Sequence, residues 1–349
     1  MKEGYRLLGD FIQPVDERNR DLKVDYLLGV SISKQFIPSI ANIVGTDLSS
    51  YKIVRTGQFA YGPVTSRNGE KISIALLQDK DCIISSSYTV FEVTDNERLD
   101  PEYLMLWFSR PEFDRYTRYM SHGSVREIFD WDELCKVELP VPSIEKQRGI
   151  VKAYNTITDR IELKRKINDN LEAVLAASHS KMFFSMDTSE HSKLGELMTF
   201  GNGKSRPKTD GPIPVYGGNG VLSYTDHHNI ENAVLIGRVG AYCGSVYLEQ
   251  GICWVSDNAI FAKSKITKDE FFDYFLLKRL NLFNHHVGTG QQLLTQEILN
   301  NIEVPKPVTE QIELFNRKAA SVFETLFTNS REIIRLQELS DLLLSRLAG

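Results

Sequence analysis

His122-Gly123-Ser124 through Glu138-Leu139-Pro140-Val141-Pro142 is answered later in the chain by Val287-Gly288-Thr289 through Glu303-Val304-Pro305-Lys306-Pro307. Gly123 falls on Gly288, Leu134 on Leu299, Glu138 on Glu303, Pro140 on Pro305 and Pro142 on Pro307. Every pair is 165 positions apart, without a gap. Each Pro-x-Pro leads into a long, charged, heptad-like stretch. A chain of two such halves presents two related surfaces, which points to a two-headed binder before any catalytic residue is sought.

The long stretches give the clearest secondary-structure expectation. From about Ile144 to Phe184, apolar residues recur at Ile150, Tyr154, Ile157, Ile161, Ile167, Leu171 and Val174, with Asp, Glu, Lys and Arg filling most gaps. From about Thr309 to Leu347 the stripe is Phe315, Ala319, Val322, Leu326, Ile333, Leu336, Leu343 and Leu347. Steps of three, four and seven are the signature of a helix with one apolar face. Gly149, in the first turns, is the one internal Gly or Pro. Helices of ~40 residues are ~60 Å long and cannot bury such a stripe alone. Because a globular unit separates them, an antiparallel pairing is within easy reach. The alternative is two separate surface helices, each on its own domain.

The bulk numbers fit that layout. At 349 residues there is length for two domains with their own cores. Hydrophobic content of 42% and charged content of 25% are ordinary for soluble globular protein. No apolar run approaches the ~20 residues that span a bilayer, and Met1-Lys2-Glu3-Gly4-Tyr5 is not an apolar signal segment. Cys82, Cys135, Cys243 and Cys253 are scattered, with no C-x2-C pair, so a reduced, cytoplasmic protein is expected. The formal charge of −5 argues against gripping nucleic acid through bulk electrostatics alone, with the excess acid in the first half. A local basic stripe, or a basic partner, would suffice for phosphate contacts.

Each long helix follows a mixed unit. In the first, β-like runs such as Ile72–Leu77 and Tyr88–Val93 are bounded by turn residues, and a helix is expected at Pro101–Phe108 with proline in its first turn. The second repeats the plan, with strands near Ala233–Ile236 and Ala259–Phe261 and a helix near Glu270–Leu276. The expected fold class is α+β: two mixed α/β domains, residues 1–142 and 188–307, with long helices at 143–187 and 308–349 pairing as an antiparallel coiled coil.

Familiar catalytic motifs are missing from the sequence. Gly203-Lys204-Ser205 invites a phosphate-loop reading, but the glycine needed five positions before the Gly-Lys pair is Met198, and Arg206-Pro207 follows instead of a helix. His227-His228 and His285-His286 are adjacent pairs whose side chains diverge, without i, i+4 His–Glu geometry, so no metal is expected. There is no G-x-S-x-G, H-E-x-x-H or G-x-G-x-x-G in the required context, and no Asn-Pro-Pro-Tyr or Asp-Pro-Pro-Tyr.

The two-unit, two-helix layout with Pro-x-Pro lead-ins resembles the specificity subunit of type I restriction–modification enzymes over essentially the whole chain. Glu138–Arg148 and Glu303–Gln311 look like that family's approach to each helix. Ile213–Gly220, Val234–Gly244 and Trp254–Ala259 look like one common subclass of its recognition domains. Family members are often longer, so the end at Ala348-Gly349 suggests a compact variant whose second helix is completed by a partner. The resemblance implies a non-catalytic subunit that reads a bipartite double-stranded DNA site, one half per domain, across an unread spacer set by the helices. It implies methylation subunits that dock on the helices and use S-adenosylmethionine, and in some systems a motor-nuclease subunit using ATP and magnesium. No cofactor is expected on this chain, and no membrane.

Base edges are read by Arg, Lys, Asn, Gln, Ser and Thr on loops. The candidates in the first domain are Ser66, Arg67, Asn68 and Lys71 in a polar loop, with Ser124 and Arg126 after the repeated Gly123. In the second they are Lys204, Ser205, Arg206 and Lys208, Asn219 in a Gly-rich turn, Arg238, and Gln291-Gln292 after Gly288. Glycines flanking several of these permit close approach of backbone to duplex. Arg238 reads equally well as an internal ion pair with Asp257, and Asp257-Asn258 reads as a turn cap.

Two other functional classes compete. A fused enzyme would need a further domain of ~150 residues, for which two recognition units and two helices leave no room. A coiled-coil scaffold spacing two protein-binding domains would show no sequence-dependent DNA affinity even with its partners bound.

Overall fold

The computed structural model describes residues 4–39, 45–66, 68–123, 126–184, 190–288 and 290–348, and the elements below are those of the described residues. Two compact units divide the chain: Met1–Leu163 with Ile333–Gly349, and Lys164–Glu332. Each unit therefore holds one mixed domain together with a length of both long helices.

In the first unit, strands Ile12–Val15, Thr89–Val93, Phe59–Tyr61 and Ile74–Leu76 lie in that order in an antiparallel sheet. Phe59 and Phe91 stack at 4.9 Å, and Phe108 meets both edge-on within a fully buried aromatic core. Helix Pro101–Phe108 starts where expected. Asp100 accepts a hydrogen bond from the Tyr103 N–H, and Pro101 needs no donor partner at that position.

The second unit carries a six-stranded sheet in the order Met198–Asn202, Ala259–Ser264, Ile230–Gly237, Val246–Val255, Ile213–Gly217, Gly220–Thr225. Its pairings are antiparallel except that between Ile213–Gly217 and Val246–Val255. Helix Phe271–Arg279 packs its buried Phe271, Phe272, Phe275 and Leu276 into the same core as the sheet.

The repeated sequence block is a repeated structure. Glu138–Pro140 forms a strand antiparallel to Tyr5–Leu7, and Glu303–Pro305 does the same with His191–Lys193. Short helices Trp131–Cys135 and Gln296–Asn301 precede these strands, capped by Asp130 on the Glu133 N–H and by Thr295 on the Ile298 N–H. The repeated Leu134 and Leu299 are both fully buried, as are Leu139 and, nearly, Val304. The identities shared by the halves are thus largely core anchors and strand ends.

Ile144–Phe184 and Thr309–Ser345 are continuous helices. Within the second unit they run antiparallel: Lys164 Nζ bonds Asn329 Oδ1 at 2.9 Å and Glu332 at 2.8 Å, Asn329 bonds Asn168 at 2.8 Å, and Leu175 shares a core with Phe315 and Ala319. Within the first unit, Val151 shares a core with Leu344 and Leu347. The inward face of the central helix differs from the expected stripe. Ile167 and Val174 stand outside, Val174 at 66% exposure, while Gln147, Tyr154, Ile161, Asn168, Leu175 and Met182 form a strict seven-residue row that is buried or half-buried. The seam contains polar residues, so a pattern drawn through apolar residues alone drifts off it. An amide layer such as Asn168–Asn329 fixes pairing register at some cost in stability.

A second polar device ties each domain to a helix. Gln147, 0% exposed, accepts from the Asp100 N–H and donates to the carbonyls of Arg98 and Pro142, at 2.8–2.9 Å. Asn316, 2% exposed, accepts from the Phe272 N–H and donates to Thr267 Oγ1 and the Asp269 carbonyl, also at 2.8–2.9 Å. Each buried amide grips the start of its domain's principal helix. No helix among the described residues is long and apolar enough to cross a membrane.

Candidate nucleic-acid interface

In each domain the repeated block begins with a small hairpin. His122 and Ile128 exchange main-chain hydrogen bonds at 3.1 and 2.9 Å, and Val287 and Leu293 exchange theirs at 2.9 Å. The first hairpin turns through Gly123 at φ +138°, where an added Cβ would sit 2.1 Å from the Arg126 carbonyl oxygen. The second turns through Gly288 at φ +91°, 2.4 Å from that of Gln291. Both glycines are required by a left-handed backbone closed over its own turn. Phe129 and Leu294 follow the hairpins and plug each one into the core, both at 0% exposure.

Each hairpin is held by a loop from elsewhere in its domain, and the bonds match one for one. In the first domain Phe129 N–H donates to Pro63, Val64 bridges Ile128, Thr65 N–H donates to Glu127 and Asn68 N–H to Thr65. In the second, Leu294 N–H donates to Arg238, Val239 bridges Leu293, Gly240 N–H donates to Gln292 and Cys243 N–H to Gly240. The loops are 175 positions apart, as Thr65 and Gly240 are, whereas the hairpins are 165 apart. Only the valine is shared between Pro63–Asn68 and Arg238–Cys243. This correspondence is invisible in the sequence, because backbone bonds and not side chains carry it.

In the second domain this assembly gathers several candidates at one rim of the sheet. Lys204 N–H donates to Val255 and the Trp254 indole to the Lys204 carbonyl, placing Lys204 beside the Ser256–Asn258 turn. Asn219 is exposed at the tip of the hairpin between Ile213–Gly217 and Gly220–Thr225, where Gly218 lies against Tyr242 and Asn258. Arg238 N–H donates to Asn258, and Gln292 belongs to the docked hairpin. Gln291 is exposed at the hairpin tip. Ser205, Arg206 and Lys208 are exposed too, but the chain then moves away along the sheet edge, where Thr209 bonds Thr225 and Asp226. In the first domain Ser66 and Asn68 sit beside the hairpin that carries Arg126, with Lys71 at the loop's far end. Arg67 and Ser124 lie outside the described residues.

Arg238 makes no ion pair with Asp257. Its Nη1 donates to the Asp257 main-chain carbonyl at 3.4 Å, and its buried Nε, like the buried Ser256 Oγ, has no hydrogen-bond partner among the described residues. Asp257-Asn258 does form a turn, closed by Ala259 N–H donating to Ser256. The charge pattern separates structural cations from available ones. Arg55 is held by Glu17 and Asp81, which raise its pKa, and Lys34 is buried against Asp114 at 2.7 Å. Lys71, Arg126, Lys204, Arg206 and Lys208 are exposed and have no carboxylate partner among the described residues. Unneutralised cations on loops are what a phosphate backbone requires.

One residue of the rim went unnoticed in the sequence. Tyr242 is 52% exposed on the loop that docks the second hairpin. The Gly-rich string around it signals a tight loop, but residue type alone gave no reason to select an aromatic.

The architecture is thus two α/β domains, each built on the same hairpin-and-loop scaffold and each tied to a long helix. The family described as the type I restriction modification DNA specificity domain matches residues 39–173 and again 186–342, and the chain belongs to that family. It is 21% identical over 296 residues to the type I restriction enzyme MjaIX specificity subunit of Methanocaldococcus jannaschii, covering 70% of this chain and 68% of that one. It is 25% identical over 154 residues to the type I restriction enzyme HindI specificity subunit of Haemophilus influenzae, covering 42% and 32%. The crystal structure of the type I restriction–modification S subunit from M. genitalium shares the fold, with a TM-score of 0.66 at 17% identity over 99% of this chain and 96% of that one.

Proposed function

We propose that this chain is the sequence-reading subunit of a type I restriction–modification enzyme and has no catalytic centre of its own. Each domain reads one short half of a bipartite site in double-stranded DNA. The paired helices set the unread spacer and dock methylation subunits, which supply the transferase chemistry with S-adenosylmethionine. A motor-nuclease subunit would bring ATP and magnesium. The assembly works in the cytoplasm.

The observation that carries this reading is the duplication of the hairpin-and-loop scaffold. Two domains share main-chain bonds residue by residue, yet display different polar side chains on them. A constant frame with variable side chains is what two different short DNA sequences demand, because sequence is discriminated by side chains on base edges. The uncompensated cations on both frames supply the sequence-independent part of binding.

The test is exchange of residues 1–142 for the corresponding domain of another family member, followed by determination of the site methylated by the assembled enzyme. One half-site should change and the other should stay. A change in both halves, or in neither, contradicts modular reading.

A further inference from the structure

We propose that Tyr242 contacts a base of the second half-site and helps to determine its sequence, an inference that rests on the reading above. The internal equivalence of the two domains points to Tyr242. The Gly240-to-Gln292 and Cys243-to-Gly240 bonds of the second domain answer the Thr65-to-Glu127 and Asn68-to-Thr65 bonds of the first. Counted along the chain between those anchors, Tyr242 holds the sequence position that Arg67 holds in the first domain. The two loop sequences thus differ in type at this position: a cation in one, an aromatic in the other.

The surroundings favour a ligand over a packing role. The ring is half exposed, although the main chain beneath it is fixed. The Tyr242 carbonyl accepts from the N–H of Ser245, and the single Ser245 hydroxyl proton lies between the carbonyls of Tyr242 and Gly218. A large side chain on a loop so tightly bonded leaves from a fixed main chain, so binding needs to order only the side chain itself. Around it lie Asn219, Arg238 and Gln292, with Lys204 by the adjoining turn. Ser256 Oγ and Arg238 Nε, buried and without a hydrogen-bond partner among the described residues, belong to the same turn and loop. An aromatic face amid amides and cations matches a nucleic-acid base, which offers an apolar surface or a thymine methyl next to hydrogen-bonding edges and phosphates.

The experiment uses the chain assembled with its methylation subunits and DNA duplexes carrying the intact split site, or the site with either half scrambled. Tyr242→Ala should weaken binding to the intact site about tenfold or more. It should also erase most of the discrimination at the second half, with that at the first half untouched. Tyr242→Phe should bind like the wild type, since the ring makes the contact. The salt dependence of Tyr242→Ala should equal that of the wild type, because no phosphate contact is lost; each lost phosphate contact would lower the slope by about one. Tyr242→Arg keeps a large side chain at this position. It should shift the bases preferred in the second half, towards guanine where the arginine reaches its major-groove edge.

Unchanged affinity and half-site preference in the Ala and Arg variants overturn the inference. So does a loss in Tyr242→Ala that comes with a shallower salt slope, which would make the residue a backbone contact. Failure of the wild-type assembly to distinguish the intact site from the scrambled ones would instead bring down the functional reading, and the inference with it.

Discussion

The two recognition domains build the same small assembly from different materials. Each closes a hairpin over a glycine, plugs it into the core with a fully buried residue and docks a loop onto it through matching main-chain bonds. Between Pro63–Asn68 and Arg238–Cys243, however, only Val64 and Val239 agree. The sheets differ as well: four antiparallel strands in the first domain, six with one parallel pairing in the second. What persists is the frame that presents side chains; what varies is the set presented. The amides that tie each domain to a helix show the same economy. Gln147 stands seven residues after Pro140 and Asn316 eleven after Pro305, so the same grip is made about one helical turn later in the second half.

Breaking the amide ties should have the largest effect. Gln147→Ala strands the Asp100 N–H and the carbonyls of Arg98 and Pro142, and Asn316→Ala strands the Phe272 N–H and the Asp269 carbonyl. With several buried groups left unpaired, each variant should lose on the order of 3 kcal/mol in chemical denaturation. Gln147→Ala should act through the first domain and Asn316→Ala through the second. Equal loss of protection in both domains by hydrogen exchange would show that the ties are not domain-specific.

The hairpin glycines come next. Gly123→Ala and Gly288→Ala each force a side chain into a left-handed turn, against a carbonyl oxygen 2.1 or 2.4 Å away. Displacing the hairpin should cost about 2–3 kcal/mol. DNA discrimination should fall at the first half-site for Gly123→Ala and at the second for Gly288→Ala. If either variant leaves its half-site intact, that hairpin is scaffolding with no part in reading.

The smallest effect distinguishes the domains by pH. His179 is buried in the second unit among Phe272, Phe275 and Phe315, and burial, assisted by the nearby positive Arg279, lowers its pKa to about 4. The neutral imidazole is the folded form. Its contribution is therefore complete above the unfolded value near 6.5 and is lost as pH falls towards 4, amounting to about 2 kcal/mol at pH 5. Asp273, buried and pushed up to about 7, works in the opposite sense, stabilising on the acid side and losing that contribution as pH rises through 7. The difference between wild type and His179→Phe cancels Asp273 and any constant packing cost. It should narrow in favour of the variant between pH 7 and pH 5; a pH-independent difference would contradict this account of His179.

Much of this architecture was legible because it is periodic or repeated. Heptads give the long helices, and Leu134 and Pro140 recur because the one fills a core position and the other ends a strand. The inward face of the central helix is displaced from the apolar stripe of the sequence because Gln147, Asn168 and His179 occupy the seam while Ile167 and Val174 do not. Gln147 stands among charged residues at the foot of a helix, and nothing in the sequence tells it from a solvated side chain. In the sequence, residue type on loops is the only mark of a candidate DNA contact. The structure brings Lys204, Asn219, Arg238 and Gln292 to one rim, but the loop match that draws attention to Tyr242 lies in backbone bonds and at a different sequence offset. Chain folding had to be seen before that equivalence could be.

The most direct test of the central claim is a genome-wide map of methylated bases in cells with and without this gene. The account predicts that one split motif, two short half-sites around a fixed spacer, is methylated only when the gene is present. A map unchanged by its removal, or loss of an uninterrupted motif, would contradict it.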